Sequence, residues 1–191
     1  MKVFSYVIVN DDGSAPNYDA PMTTLAICKP KIRLYAQPGD LVIAFAGQTL
    51  GPEPHAVRWA GVVTEKMTFA EYWNAPRFVA KRPGKSERPD NIYKPSGTTY
   101  EQVNNPSHTA KNISRDLGGA FVLAFETAWR FGPVVEILPE EFGLRLSGAR
   151  RGHRVCPISA VEWGSLKKWL NNHCPADASR KTPRHNKRSS C

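Results

Sequence analysis

A cysteine in a basic setting is the first feature of this sequence that could carry chemistry. Cys28 opens the stretch "CKPKIR", in which Lys29, Lys31 and Arg33 alternate with other residues. Neighbouring cations favour the thiolate of a cysteine, which is its nucleophilic form. Free cysteines are also among the most often buried residues. Cys28 is therefore a candidate nucleophile, and packing in the core is the alternative that its residue type favours.

The cations of this sequence occur in two short runs that suit phosphate binding. After Cys28, alternate cations on an extended segment would project to one side. Arginine can hold two phosphate oxygens at once, and lysine supplies a point charge. The second run is "RRGHR" at 150–154. The predicted phosphate contacts are Lys29, Lys31, Arg33, Arg150, Arg151 and His153. Solvated surface charge is the alternative for both runs.

Polar residues suited to base recognition or acid–base chemistry fall in two loops. The first loop is "NDDGSAPNYDAP" at 10–21, and the second is a long proline-rich segment at 75–115. Their Asp, Asn and His side chains could read a base edge, and their Tyr rings could stack on an unpaired base. The predicted ligand-binding residues are Asn17, Tyr18, Asp90, Asn91, Tyr93 and His108. His108 with Asp116 is a candidate acid–base pair. Capping of loops by Asx side chains is the alternative for the asparagines.

The elements that must position these residues are mostly strands. Runs at 2–9, 41–47, 56–67 and 120–132 have strand composition, and the last run suits two strands. Two capping boxes, Thr68 with Glu71 and Ser159 with Glu162, predict helices over 69–74 and from 160 to about 173. The apolar stripe of Trp163, Leu166, Trp169 and Leu170 predicts core packing for the final helix.

The order of these elements predicts an α+β fold. It lacks the regular strand–helix alternation of a doubly wound sheet. A small mixed or antiparallel β-barrel with peripheral helices and a C-terminal helix fits the pattern better. Residues 133–157 are predicted to be rich in loops. One domain is predicted over 1–175, followed by a basic, disordered tail at 176–191.

The charge and hydropathy of the chain favour a protein with an anionic partner and disfavour a membrane protein. The net charge is +9, and the tail holds five Lys or Arg against one Asp, so the rest of the chain is also basic. This charge favours an anionic partner, nucleic acid or nucleotide. No apolar run approaches the ~18 residues of a membrane helix, and the N-terminus lacks the features of a signal peptide. The expectation is a cytoplasmic protein with no membrane partner.

The spacing of the four cysteines and the absence of several motifs argue against metal-dependent and cofactor-dependent reactions. No CxxC pair occurs, so we expect no metal site, and the thiols should stay reduced. The sequence has no GxGxxG, GxxxxGK[ST], GxSxG or HExxH, which disfavours P-loop hydrolysis and dinucleotide redox chemistry. We therefore expect no cofactor.

Several blocks of the chain resemble one family. In order they are "FSYVIVNDDGSAPN", "TLAICKPKIR", "PGDLVIAFAG", "VVTEKMTFAEYWNAPRFVAKRP", "DNIY", "SH" and "FG". They resemble the nucleotide modification associated domain 2 family, which is linked to bacterial and phage systems that make or handle modified DNA bases. "PGDLVIAFAG" leading into "WAGVVTEKMT" also resembles PUA-like and EVE barrels, in which a small barrel forms a base pocket. These resemblances imply a nucleic-acid setting, with DNA preferred over RNA.

Three functions are consistent with these observations. The first is a protein that binds a modified or unpaired base in a barrel pocket. The second is an enzyme acting on a base or nucleotide, with Cys28 as nucleophile or His108 and Asp116 as an acid–base pair. The third is a basic interaction protein without a base pocket, in which the loops at 10–21 and 84–116 do not converge. The sequence alone leaves open whether the protein is an enzyme.

Overall fold

The computed structural model describes residues 1–51, 53, 56–106, 108–132, 135–146 and 152–174. The strands are β1 (Lys2–Ile8), β2 (Thr23–Leu25), β3 (Leu41–Ala46), β4 (Ala56–Val62), β5 (Glu65–Thr68), β6 (Tyr93–Ser96), β7 (Thr99–Gln102), β8 (Phe121–Phe125), β9 (Thr127–Arg130), β10 (Glu136–Ile137) and β11 (His153–Pro157). The α-helices are α1 (Pro30–Tyr35), α2 (Phe69–Asn74), α3 (Ile113–Leu117), α4 (Glu140–Leu146) and α5 (Ala160–His173). Two 3-10 helices cover Pro76–Lys81 and Ala110–Asn112.

Three sheets organise the strands, and the α+β class is confirmed. The largest sheet has the order β10-β4-β3-β1-β11, with β9 also paired to β4, and β1 lies parallel to β3. A second sheet has the order β2-β8-β5, and β6 and β7 form a hairpin. The predicted closed barrel is not seen in the described residues, whose sheets are open. The chain instead passes from one sheet to another between β4 and β5, and again between β8 and β9.

Strand alternation divides the core between the two faces of the large sheet. In β1, Val3 faces a cluster that includes Leu166 and Leu170 of α5. Phe4 and Tyr6 face the opposite cluster, which contains Trp59. This period of two is the one expected of a strand buried on both faces. The predicted core packing of the α5 stripe is confirmed, since Trp163 and Trp169 also pack on the first cluster.

Both capping boxes form where the sequence predicts them. The Thr68 hydroxyl accepts a hydrogen bond from the Glu71 N–H at 3.2 Å, and the Glu71 carboxylate accepts from the Thr68 N–H at 2.7 Å. Ser159 and Glu162 repeat this geometry with the same two distances. The predicted starts of α2 and α5 are therefore confirmed.

The segment predicted as loop at 133–157 contains three elements, β10, α4 and β11. The edge strand β11 pairs antiparallel with β1, and its residues are mostly exposed or half-buried. An edge strand with little buried surface lacks the apolar alternation that identifies a strand in sequence. The predicted tail at 176–191 lies outside the described residues. Within the described chain, no helix combines the length and hydropathy that a membrane crossing requires.

Candidate active site

Cys28 lies on a sharp turn between a strand and a helix. β2 ends at Leu25 and α1 begins at Pro30, and both Cys28 and Lys29 have left-handed backbone angles, with φ of 59° and 42°. This region is unfavourable for residues other than glycine, and such residues are concentrated at functional sites. The expectation of an extended segment after Cys28 was wrong, because Pro30 begins a helix there.

Cys28, His108 and Asp116 come together although they are distant in sequence. The Cys28 Sγ lies 3.5 Å from His108 Nε2. The other ring nitrogen, His108 Nδ1, is hydrogen-bonded to Asp116 Oδ2. A thiol, an imidazole and a carboxylate therefore form one continuous chain of contacts. This arrangement is that of a nucleophile, its base and the group that orients the base.

The carboxylate of Asp116 is held rigidly. Asp116 is fully buried in α3, and its oxygens accept hydrogen bonds from the Cys28 N–H at 3.0 Å and the Tyr93 hydroxyl at 2.9 Å. The backbone of His108 is fixed as well, because its N–H donates to Asn105 Oδ1 at 2.7 Å. The carboxylate thus positions both the imidazole and the backbone that carries the thiol.

Arg33 holds the turn that carries Cys28 in place by hydrogen bonds from the interior of the protein. Its guanidinium is fully buried and donates to the carbonyl oxygens of Cys28 at 2.8 Å, Phe121 at 2.6 Å and Asp116 at 2.5 Å. Burial lowers the pKa of Arg33 to about 10, although Asp116 opposes this effect. The predicted phosphate contact Arg33 therefore lies behind the turn, with its donors directed at backbone carbonyls.

We expect Gly119→Ala to destabilise the protein, because Arg33 occupies the space a side chain would need. A Cβ at Gly119 would lie 2.5 to 2.7 Å from three atoms of the guanidinium. Arg33 cannot move without breaking its three hydrogen bonds, so the free energy of unfolding should fall by about 1–3 kcal/mol. Urea denaturation measures this change.

Gly164→Ala is the matched control for this substitution. Gly164 lies inside α5, and a Cβ there would meet nothing within 4 Å. Alanine favours helix over glycine, so Gly164→Ala should stabilise the protein by about 0.5–1 kcal/mol. Equal effects of the two substitutions would contradict the packing described for Gly119.

The electrostatics of the site keep His108 protonated at neutral pH. Burial alone would lower the pKa of His108, but its hydrogen bonds and charge interactions with Asp116 and Cys28 raise it to about 9. Burial alone would raise the pKa of Asp116, yet the bonds from His108, the Cys28 amide and Tyr93 hold it below its usual range. A protonated ring beside the sulfur stabilises negative charge on that sulfur.

The raised pKa of His108 predicts a loss of stability at high pH. The folded pKa of about 9 exceeds the ordinary value of 6.5. The stabilisation is therefore fully present below about pH 6.5 and is lost as the pH rises through about 9. The free energy of unfolding of the wild type minus that of His108→Asn should shrink by about 3 kcal/mol between pH 6 and 10. A difference that does not change with pH would contradict the ion pair.

A cleft of about 530 Å³ opens in front of the sulfur. It is lined by Cys28, Lys29, Pro30, Lys31, Ile32, Arg115, Gly152 and His153. Arg115 Nη2 lies 3.9 Å from Cys28 Sγ, and the Lys31 side chain is exposed at the rim. The thiol therefore faces a cleft whose wall is rich in cations.

Two further residues of the cleft wall are fixed by packing. The Lys29 Nζ donates to the Val7 carbonyl at 3.2 Å and lies 4.3 Å from the centre of the Tyr6 ring. The His153 ring stacks on Phe4, and burial together with Lys31 and Lys29 lowers its pKa. His153 is thus a neutral imidazole at neutral pH, able to donate a hydrogen bond but not to add charge.

Three of the predicted ligand-binding residues lie in a different buried cluster. Asp90 accepts hydrogen bonds from the hydroxyls of Thr24 at 2.6 Å and Tyr72 at 2.7 Å. Asn17 Oδ1 accepts from the buried Lys81 Nζ at 2.7 Å. Asn91 Nδ2 donates to the carbonyls of Tyr72 and Phe78, both at 3.2 Å. The Lys81 bond and a bond from Asn17 Nδ2 to the Arg88 carbonyl at 2.7 Å hold the loop at 10–21 against the central segment, so the two loops converge.

The remaining predicted residues are divided among several places. Tyr93 is buried behind Asp116, and Tyr18 is buried beneath the guanidinium of Arg130. Arg150 and Arg151 lie outside the described residues. Sequence reasoning missed Arg115, which lines the cleft; its position next to Asp116 was the available signal. No group of three or more His, Cys, Asp and Glu suited to a metal ion occurs in the described part of the chain.

The chain was compared with family models, curated proteins and solved structures. A family model described as nucleotide modification associated domain 2 matches residues 1–188. Neither the curated proteins nor the solved structures give a match. The matched range covers every residue of the site and confirms the resemblance found in the sequence blocks. The chain belongs to the nucleotide modification associated domain 2 family.

Proposed function

We propose that this chain is an enzyme that acts on a nucleobase, free in a nucleotide or within DNA, through a covalent bond to Cys28. One observation carries the proposal, the chain of contacts from Cys28 Sγ to His108 and from His108 to Asp116. The family supplies the setting of nucleotide modification. A cysteine that only packs in the core needs neither a histidine nor an open cleft.

The substrate that suits a thiol nucleophile is a pyrimidine. Its C6 carbon is electrophilic because it is conjugated to the group at C4. In the proposed step the Cys28 sulfur bonds to C6, and the electron pair of the C5=C6 bond moves toward C5. The proton held by His108 is then delivered to C5, so that overall the thiol S–H has added across the double bond. Reversal restores the base, and the step therefore balances without a cofactor.

In the proposed addition, different side chains orient the imidazole, stabilise charge on the sulfur and bind the phosphate. Asp116 orients the imidazole and stabilises its positive charge, as the third member of such a triad does. Arg115 Nη2, 3.9 Å from the sulfur, is a second cation that favours negative charge on it during attack. In this proposal Lys31 and Arg115, which both line the cleft, hold the phosphate of the substrate through charge-assisted hydrogen bonds. The predicted phosphate contacts Lys29 and His153 complete the same wall.

Hydrogen exchange at C5 tests this function without knowledge of the final modification. The purified chain is incubated in deuterium oxide with pyrimidine deoxynucleotides and with single- and double-stranded DNA, and the products are weighed by mass spectrometry. We expect deuterium at C5 of a pyrimidine, and a loss of the exchange rate by a factor of at least about 10³ in Cys28→Ser and His108→Ala. Lys94→Gln, an exposed cation on β6, is the matched control and should exchange normally.

A second candidate function has support from the same cleft. The protein could bind a modified or unpaired base without reacting, because the cations of the cleft attract phosphate whether or not chemistry follows. Tight binding to a modified oligonucleotide that survives Cys28→Ala, with neither exchange nor a covalent adduct, would overturn the enzyme and favour this reader.

A further inference from the structure

A second polar cluster lies on the face of the large sheet that carries Trp59. It consists of Asp11, Tyr18, Arg58 and Arg130. Arg58 Nη2 forms an ion pair with Asp11 Oδ2 at 3.2 Å, and the Arg130 Cζ lies 4.3 Å from the centre of the Tyr18 ring. The side chains of Arg58 and Asp11 are 14% and 7% exposed, and Tyr18 is 8% exposed. The cluster shares no residue with the Cys28 cleft.

A β-bulge brings the two arginines to the same face. In the pairing of β3 with β4, Ala44 lies opposite Trp59 and Phe45 lies opposite Val57, so Arg58 is the extra residue. The bulge turns Arg58 away from strict alternation, toward the Trp59 face. Arg130 of β9 is directly opposite Trp59 and therefore projects from this face as well. Bulges that redirect a side chain in this way are common beside functional sites.

Unpartnered polar atoms are concentrated in this cluster. Six buried side-chain nitrogen or oxygen atoms in the described residues have no hydrogen-bond partner, and four of them are Tyr18 Oη, Arg58 Nε, Arg130 Nε and Asp11 Oδ1. Each such atom destabilises the folded protein if nothing satisfies it. Three donors and one acceptor left open around one tyrosine indicate a ligand with the complementary atoms.

We propose that Asp11, Tyr18, Arg58 and Arg130 form a second ligand site, which binds a phosphate group that carries a hydroxyl. Two guanidinium groups and one phenol suit the oxygens of an oxyanion. The free carboxylate oxygen of Asp11 suits a hydroxyl donor and repels an oxyanion without one. At neutral pH a phosphate ion keeps at least one hydroxyl and sulfate keeps none, so the site should select phosphate.

The environment of Tyr18 keeps its hydroxyl a donor. Burial, Asp11 and Tyr6 raise the pKa of Tyr18 well above its usual value, and the two arginines only partly oppose this rise. The phenol therefore stays protonated at any physiological pH. Tyr6 lies near both sites, because Trp59 Nε1 donates to its hydroxyl at 2.8 Å and Lys29 of the Cys28 cleft lies over its ring.

Calorimetric titration with inorganic phosphate and with sulfate tests the site. The test uses the full chain carrying Lys31→Gln and Arg115→Gln, which removes two of the three Lys or Arg side chains found along the Cys28 cleft. We expect phosphate to bind at one site and sulfate to bind at least about ten-fold more weakly. Tyr18→Phe should weaken phosphate binding about ten-fold without lowering the Tm of the free protein, because the hydroxyl has no partner to lose. Asp11→Asn should narrow the difference between the two anions.

The outcomes separate a ligand site from a structural cluster. Phosphate binding that is abolished by Lys31→Gln and Arg115→Gln but unchanged by Tyr18→Phe would place the ion in the Cys28 cleft and overturn the proposal. A lower Tm in Tyr18→Phe, without a change in phosphate affinity, would make the hydroxyl structural and would also overturn it. Titration with a deoxynucleoside monophosphate and with an oligonucleotide lacking terminal phosphates then tests the selection by Asp11. The ester phosphates of both probes mostly lack a hydroxyl at neutral pH, because the second pKa of a phosphate monoester is about 6. Both should therefore bind as weakly as sulfate, and tighter binding of either probe than of inorganic phosphate would overturn the proposal.

Discussion

Alkylation by iodoacetamide at neutral pH should fall first on Cys28, and His108→Ala should slow it by about 10- to 100-fold. The thiolate is the species that reacts, and the protonated ring 3.5 Å from the sulfur stabilises it. Without the imidazole, the cation that remains beside the sulfur is Arg115. Its side chain is half exposed, so solvent weakens its effect on the charge of the sulfur. Peptide mapping of the alkylated chain over time measures the rate at each cysteine.

Two comparators in the same chain sharpen this experiment. Cys156 is half-buried like Cys28 and contacts Arg145 Nη2 at 3.3 Å, and no contact with a histidine is found for its sulfur in the described residues. It should react at least about ten-fold more slowly than Cys28 if histidine is what matters. His153→Ala removes a histidine that lines the cleft but stacks on Phe4, and it should change the rate at Cys28 less than about two-fold. Equal rates at Cys28 and Cys156, unaffected by His108→Ala, would contradict an activated thiol.

Local signals made much of the fold predictable. A capping box needs only two residues three positions apart, so Thr68 with Glu71 and Ser159 with Glu162 locate two helix starts from sequence alone. The β11 edge strand gives no such signal, because pairing to β1 rather than its own composition makes it a strand. The barrel prediction depended on how sheets join, which is a long-range property that local pattern does not encode.

The site was predictable in its members but not in its assembly. Cys28 and His108 were separate candidates, and no spacing rule joins two residues that lie 80 positions apart. The same limit applies to Asn17 and Asp90, since residue type suits base recognition and internal bracing equally well. Only the buried partners, Lys81 for Asn17 and Tyr72 for Asp90, show which use is made of them in this structure. Arg33 differs again, because its neighbours Lys29 and Lys31 line the cleft while its own side chain turns inward.

Arg33→Ala should lower the free energy of unfolding by about 3–5 kcal/mol, the largest stability effect that we expect from one substitution. The change removes the guanidinium donors from the buried carbonyls of Cys28, Asp116 and Phe121, of which Asp116 keeps a bond from the Gly119 N–H at 3.2 Å, and it also opens a cavity. Arg33→Lys should recover only part of the loss, because an ammonium group cannot reproduce the planar fork of a guanidinium. Arg77→Ala is the matched control, since Arg77 is exposed in its ion pair with Glu65, and it should cost less than about 1 kcal/mol.

The alkylation rate of Cys28 in Arg33→Lys shows whether Arg33 only stabilises the fold or also positions the thiol. Arg33 holds the carbonyl of Cys28 in the left-handed turn, so a looser turn should move the sulfur away from His108. Alkylation of Cys28 in the folded Arg33→Lys protein should therefore slow several-fold, while alkylation of Cys156 stays unchanged. If Arg33→Lys lowers stability but leaves the rate at Cys28 at its wild-type value, Arg33 supports the fold and not the geometry of the thiol. If the stability and the alkylation rate at Cys28 both fall, the three hydrogen bonds of Arg33 stabilise the interior and also keep the Cys28 sulfur next to His108.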